Sequence, residues 1–450
     1  MNRISYLSDL LSSVFARDEQ QQQIEQQGSL AELCDALLSQ SGEMSGNRLA
    51  RGLLSRFAAA DSEEQLAFFR LLAERFDINA EHAVRAAQRY SKERNAENLA
   101  ILMSSVEPRR QELLRRLNRV PGATNELVQM RALLLEVCKE YPEMLRIDVD
   151  FQHLFRSWFS RGFLVLREID WHTPANILEK IIAYEAVHEI SSWTALRSRL
   201  EPDDRRCFAF FHPAMLDEPL IFVEVALTQA SPVTVKGILE TRRKVVARQD
   251  ATMAVFYSIS NCQKGLAGVS FGNFLIKQVA KELSRQLPGL TTFRTLSPVP
   301  GLMRWVNERV EQAVDTSVAP DEAQIRFREA LLTAQRISTQ ESVVLSETDS
   351  EQLQYLVAHY MHEEKRKDHL PLDPVARFHL GNGASLDHIL PAADVFRKGL
   401  SQSAGVMVSY LYDLDKVEDN HEAYANEQAV IMSSEVRALL SKPKWSRKRA

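Results

Sequence analysis

Tyr257-Ser258-Ile259-Ser260-Asn261-Cys262-Gln263-Lys264-Gly265-Leu266-Ala267-Gly268-Val269-Ser270-Phe271-Gly272-Asn273 is the stretch from which the rest of the chain is best read. It continues an apolar run, Met253-Ala254-Val255-Phe256, whose composition predicts a strand over 253–259. A loop with Gly265, Gly268 and Gly272 follows. Phe274, Ile276, Lys277, Val279, Ala280 and Leu283 then recur at helical spacing until Leu287-Pro288-Gly289 stops them. A glycine loop between strand and helix lets backbone approach a ligand, and the N–H groups at a helix start favour negative charge. The spacing is neither the G-x-x-x-x-G-K-[ST] of a nucleotide-triphosphate loop nor G-x-G-x-x-G. Tight packing alone is the blander reason for such glycines.

Downstream, Thr291–Thr295 predicts a strand, and Leu296-Ser297-Pro298-Val299-Pro300-Gly301 sets a hydroxyl on a rigid turn. Further on, Arg377-Phe378-His379-Leu380-Gly381-Asn382-Gly383-Ala384 ends an apolar stretch with a histidine just before a glycine turn. Of 11 histidines only His379 has that setting. Taken singly, Ser297 reads as a turn residue and His379 as a satisfied core histidine. His359, His362 and Glu363 can face one another on a helix, but no further ligand stands at a spacing that would complete a metal site.

The neighbourhood of the loop is mixed in type. Phe163–Leu166, Phe208–Phe211, Leu220–Leu227 and Val406–Tyr412 predict strands, several bounded by turn formers such as Pro213, Pro219 and Pro232. Pro174–Ala186 predicts a helix, and a long helical stretch runs from about Asp321 to Lys367. The first part of the chain differs. Three of 16 prolines fall before residue 160, and the first tryptophan is Trp158. Leu66, Phe69, Ala73 and Phe76 recur three and four apart behind Asp61, which caps while Glu64 reaches back; Ser29 with Glu32 repeats the signal. Pro108 opens a segment with Leu113, Leu114 and Leu117 on one stripe and Arg109, Arg110, Arg115 and Arg116 largely on the other, read as a solvated face. The glutamines at 20–23, 26 and 27 read as a polar exposed segment. The chain is thus α+β: a helical domain over 1–158 and a mixed α/β domain over 159–450.

Composition bounds the function. With 450 residues, 45% hydrophobic, the chain can bury a core in each domain. A net charge of −5 speaks against general nucleic-acid affinity. Cys34, Cys138, Cys207 and Cys262 stand far apart, which predicts a reduced protein without structural zinc. No apolar run has membrane-spanning length, and Met1-Asn2-Arg3-Ile4-Ser5, with Asp9 and Asp18 behind it, lacks a targeting profile. The expected address is the cytoplasm.

From Trp158-Phe159-Ser160-Arg161-Gly162-Phe163-Leu164 to Tyr410-Leu411-Tyr412 the chain resembles the malonyl-CoA decarboxylase family. The resemblance runs through Glu185-Ala186-Val187-His188, Glu218-Pro219-Leu220, Val225-Ala226-Leu227-Thr228, Phe256–Ser260, Phe274-Leu275-Ile276-Lys277, Leu296-Ser297-Pro298, Phe378-His379-Leu380 and Asn382-Gly383-Ala384. The helical part matches in type more than in letters. The resemblance implies a helical bundle used in homo-oligomerisation and a catalytic domain of acetyltransferase (GNAT) fold. It implies that Gln263, Lys264 and Gly265 hold the coenzyme A pyrophosphate, that Ala267, Gly268, Val269, Ser270, Phe271, Gly272 and Asn273 contact the acyl thioester, that Ser297 and His379 are catalytic, and that Tyr412 lines the site. Animal members carry a glutamate where this chain has Ser270. Some members carry a presequence or end in Ser-Lys-Leu, whereas this chain ends in Lys448-Arg449-Ala450, which supports the cytoplasmic expectation.

The reaction so implied is malonyl-CoA to acetyl-CoA and carbon dioxide, within fatty-acid metabolism. It needs no cofactor beyond the coenzyme A of the substrate and no metal, because the thioester accepts the electron pair that carbon dioxide leaves behind. Backbone donors near Val269–Asn273 would stabilise the enolate, and His379 would protonate carbon. Ser297 would position the carboxylate or relay a proton without forming an acyl-serine, and Tyr412 would donate to substrate or hold His379. An acyl-CoA N-acyltransferase and a coenzyme-A-responsive scaffold are the competing readings.

Overall fold

A computed structural model of the chain describes residues 28–39, 42–269, 275–312 and 321–441. They form two compact units. The first holds the described residues up to Leu164 with His212–Leu216 and the described part of Gln263–Ser270; the second holds Val165–Phe211, Asp217–Cys262 and the described residues beyond Phe271.

In the first unit the described residues form eight helices between Leu30 and Trp158. Their starts follow the caps read from sequence. Asp61 accepts from the Glu63 and Glu64 amides at 3.0 and 2.9 Å while Glu64 returns to the Asp61 amide at 3.2 Å, and Ser29 and Glu32 make the same reciprocal pair. Leu53, Phe57, Phe68, Phe69, Leu72, Leu113, Leu117 and Leu127 are buried on the inward stripes. Each such side chain contributes about 1.5–3 kcal/mol by leaving water. The arginine face of Arg109–Leu117 departs from expectation. Arg110 is buried, paired with Asp150 and, at 2.9 Å, with Asp77. Two carboxylates from other parts of the unit draw it inward, which no helical periodicity shows.

Among the described residues the second unit is built on an eight-stranded sheet. Strands β1 (Val165–Ile169), β2 (Arg205–Phe211), β3 (Pro219–Thr228) and β4 (Met253–Asn261) pair antiparallel in sequence order. Strand β5 (Thr292–Thr295) lies parallel to β4, joined through the helix Leu275–Gln286. Strands β6 (Ser297–Pro298) and β7 (Ser385–Leu390) both pair antiparallel with β8 (Met407–Leu411), which also meets β5. The strands β2, β3 and β4 are buried along nearly their whole length, as their apolar runs require.

The parallel pairing is what positions the site. The β4–β5 register runs from Met253↔Thr292 to Phe256↔Thr295 and ends there, after a last bond from the Leu296 amide to the Phe256 carbonyl at 2.9 Å. Beyond it β4 continues along β3 as far as Asn261, whereas Ser297 turns away to pair with Val408. The sheet therefore forks at the carboxyl end of β5, where open α/β sheets bind ligands.

Four expectations are corrected here. The first strand is Val165–Ile169, with Phe163 in a preceding turn. The stretch 321–367 is two helices, Glu322–Ser338 and Glu347–His362, each opened by its own capping box. Ser297 lies in extended backbone instead of a turn, because β8 supplies a partner for it. Strand β7 was not foreseen, since Asp387 and His388 interrupt its apolar alternation at an irregularity in its register. The segments 20–23, 26 and 27, Phe274 and Lys448–Ala450 lie outside the described residues.

Candidate active site

Two local structures carry Ser297 and His379. Thr295 closes β5 and Ser297 opens β6, so the two hydroxyls, two residues apart on extended chain, share a face. His379 stands on the helix Pro374–Gly381, which Asp373 caps through the Val375 and Ala376 amides at 2.9 and 2.8 Å, with Pro374 at its first position. The helix stops at Gly383, whose φ of +82° and whose distance of 2.0 Å from a would-be Cβ to the Val417 carbonyl oxygen both require glycine.

These elements bring together residues 82 positions apart: Ser297 Oγ lies 3.0 Å from His379 Nε2. On its other side His379 Nδ1 lies 2.9 Å from the Tyr412 hydroxyl. Ser297 Oγ donates to Thr295 Oγ1 at 2.9 Å, and Thr295 Oγ1 also accepts from the Tyr410 amide at 3.0 Å. The Tyr410 ring stacks on the imidazole with centroids 4.4 Å apart. The whole chain is buried, His379 being 2% and Ser297 4% exposed.

Electrostatics follow from that burial. Among the described residues no charged group offsets the desolvation of His379, whose pKa falls to about 3, so the imidazole is neutral at physiological pH. The same burial pushes the Tyr412 hydroxyl well above its ordinary value and keeps it protonated. Ser297 and His379 open onto a cavity of about 210 Å³ at the fork of the sheet, walled by Val187, Phe256, Leu296 and Phe378 among others. That volume suits the reacting end of a ligand and is smaller than the ~300–1,000 Å³ of sites that enclose a drug-sized molecule.

Glu185 was quoted only as part of a resemblance. Its carboxylate accepts from the Val187 and His188 amides at 2.9 and 2.6 Å and from Ser258 Oγ at 2.8 Å, and its second oxygen takes Ser260 at 3.2 Å. This fixes Val187 in the cavity wall. Thr295 and Tyr410 were likewise not singled out. The i, i+2 spacings Thr295/Ser297 and Tyr410/Tyr412 were the available signals. His359 and His362 do not form a metal set: among the described residues no group of three or more histidine, cysteine or carboxylate side chains is placed to hold an ion.

The glycine loop belongs to the helical unit. Gly265 packs so tightly that a Cβ there would stand 1.8 Å from the Val128 carbonyl oxygen on the helix Ala123–Glu140. Arg131 from that helix donates to the Gly265 carbonyl at 2.6 Å and pairs with Asp148 at 2.6 Å. Packing is therefore the reason for glycine at 265. Gln263 is buried beside Gln129, with an amide contact of 3.2 Å, whereas Lys264, Ala267 and Gly268 are exposed. The Val269 amide is already donated to the Leu266 carbonyl at 3.0 Å, which removes it as a donor to a thioester oxygen. Ser270, Phe271, Gly272 and Asn273 lie outside the described residues.

Sheet order, fork and a buried, hydrogen-bonded serine–histidine pair together define an α+β protein with a pocket lined by that pair. Comparison with known proteins narrows this. Residues 162–450 match the model of the malonyl-CoA decarboxylase C-terminal domain and residues 76–159 that of its N-terminal domain. A solved malonyl-CoA decarboxylase from Rhodopseudomonas palustris is 48% identical, superposes with a TM-score of 0.84, and is matched over 91% of this chain and 98% of its own. One from Agrobacterium vitis is 46% identical with a TM-score of 0.83, over 92% and 100%. The mitochondrial malonyl-CoA decarboxylase of Anser anser anser is 33% identical over 356 residues, 74% of this chain and 70% of that protein. The chain belongs to the malonyl-CoA decarboxylase family and is a carboxy-lyase. Among the described residues no helix is long and apolar enough to cross a membrane.

Proposed function

We propose that the chain converts malonyl-CoA to acetyl-CoA and carbon dioxide, with Ser297, His379 and Tyr412 acting as one hydrogen-bonded unit. The observation that carries this reading is the 3.0 Å contact between Ser297 and His379 on a cavity sized for an acyl group, in a chain of this family.

The chemistry sets the requirements. Breaking the bond to the carboxylate leaves an electron pair on the carbon beside the thioester, and that pair delocalises onto the thioester oxygen. The substrate is its own electron sink. Carbon must then gain one proton, so each turnover takes one proton from solvent. His379 supplies it at the carbon. The depressed pKa describes the ligand-free site; a substrate carboxylate buried nearby favours the imidazolium, so substrate and proton enter together. Tyr412 accepts from Nδ1 while His379 is charged and goes on accepting once Nε2, on the Ser297 side, has given its proton to carbon. Ser297 donates to the carboxylate and holds it over the imidazole. The amides of 270–273 are assigned the thioester oxygen, where one preorganised donor contributes about 2.7–4 kcal/mol in other acyl-transfer enzymes. Gln263, Lys264 and Gly265 are assigned the pyrophosphate, with Ala267 and Gly268 next to the acyl chain, on the strength of family resemblance. Residues 1–158 serve homo-oligomerisation, and the address is the cytoplasm.

Purified protein is incubated with malonyl-CoA in the presence of chelator, and products are identified by mass. Stoichiometric acetyl-CoA and carbon dioxide without an amine acceptor are expected. A product that forms only when an amine is added would replace this reading with acyl transfer.

A further inference from the structure

We propose that Thr295 is a positioning residue for this reaction: by accepting the Ser297 hydroxyl hydrogen it sets the direction of the whole hydrogen-bond chain and holds His379 as the Nε2–H tautomer. The inference rests on the reading of Ser297 and His379 given above.

Thr295 is buried at the end of β5. A hydroxyl oxygen has two acceptor positions. At Thr295 one takes the Tyr410 amide of β8 and the other takes Ser297 Oγ–H. The geometry of the contact makes Ser297 the donor and Thr295 the acceptor, and the Tyr410 amide, held in place by β8, occupies the other acceptor position. With its hydrogen committed to Thr295, Ser297 can only accept from His379 across the 3.0 Å contact, so Nε2 carries the hydrogen. Nδ1 is then the bare nitrogen and accepts from the Tyr412 hydroxyl at 2.9 Å. The order Tyr412→His379→Ser297→Thr295 therefore follows from its last member.

This direction has a use. When a carboxylate enters the cavity, rotation of one hydroxyl moves the Ser297 hydrogen from Thr295 to the substrate, while Nε2–H still points toward Ser297 and the reacting end. Without an acceptor at 295, Ser297 turns its hydrogen onto Nε2. The chain reverses, Nδ1 takes the imidazole hydrogen, and the bare nitrogen faces the cavity.

The test uses full-length protein with ¹⁵N-labelled histidine, the His379 signals being assigned by their loss in His379→Asn. Wild type and Thr295→Ser, which keeps the hydroxyl, are expected to show protonated Nε2. Thr295→Val, which replaces the hydroxyl by a methyl group, is expected to show protonated Nδ1, with kcat lowered on the order of tenfold to a hundredfold, KM nearly unchanged, and activity restored in Thr295→Ser. In a Ser297→Ala background the same Thr295→Val change should cost nothing further. Thr295→Ala serves as a second hydroxyl-free variant should the valine form fail to fold. An unaltered tautomer in Thr295→Val overturns the proposal, and so does an equal loss in the Ser297→Ala background, which would mark a structural role. Failure of wild type to release acetyl-CoA would overturn the functional reading instead; the tautomer measurement decides Thr295 independently of it.

Discussion

Arg131 in the helical unit and His379 in the mixed unit are buried almost equally, at 1% and 2% exposure, yet their surroundings are opposite. Arg131 lies against the Asp148 carboxylate and a backbone carbonyl of the glycine loop. Its charge is met by that carboxylate and carbonyl. His379 is surrounded by hydroxyls and an aromatic ring, with no counter-charge among the described residues, and one side of it opens on a cavity. A buried charge with its partner in place holds structure together, whereas a buried neutral base without one is ready to gain a charge when a ligand brings the opposite sign.

The comparison can be broken at its active end first. His379→Asn and Ser297→Ala should each lower kcat by on the order of 10²–10⁴ while the melting temperature stays close to wild type. Normal release of acetyl-CoA by a folded His379→Asn protein would remove the histidine from the mechanism. At the other end, Arg131→Met leaves Asp148 buried without its cation, and breaking such a pair costs about 3–5 kcal/mol. Chemical denaturation measures it, and a loss below about 1 kcal/mol would show that the pair is dispensable.

Gly265→Val tests whether the loop glycine serves packing or ligand. The Val128 carbonyl requires displacement, so destabilisation of about 1–3 kcal/mol is expected before any effect on coenzyme A affinity is read. An unchanged melting temperature with weakened coenzyme A binding in calorimetry would return this glycine to the ligand.

Acid sharpens the same contrast. Burial depresses the His379 pKa from 6.5 to about 3, so the folded state favours the neutral ring. That contribution is complete above the unfolded value and is lost as pH falls from about 6.5 toward 3. At 1.36 kcal/mol per unit it amounts to about 2 kcal/mol by pH 5. Stability of wild type should therefore fall more steeply over this range than that of His379→Asn. Parallel curves would mean that the imidazole is not desolvated.

Legibility from sequence divides along the same line. Asp61 with Glu64, Ser29 with Glu32, and the stop at Leu287-Pro288-Gly289 could be read directly, since a cap is a relation among residues three or four apart. The strand–loop–helix at 253–286 was legible for the same reason. Ser297 and His379 were singled out by local context and by family resemblance. Arg110 and Arg131 were not recognised as buried, because their carboxylate partners come from the helix Leu145–Trp158 and the loop before Ala80. Gly265 was read toward a ligand, because nothing nearby in sequence announces the Val128 carbonyl 137 positions away.

By itself the sequence determined the helical first part and the mixed second part, because periodicity, caps and turn chemistry act within a turn or two of chain; Ser297 and His379 came together as a site only through the family resemblance. Only the tertiary structure decided that those two side chains meet at 3.0 Å, that Thr295 receives the serine hydrogen, and that the histidine is held neutral. Those outcomes depend on bond angles and on exclusion of water by strands and helices up to 115 residues apart, and no local pattern encodes either.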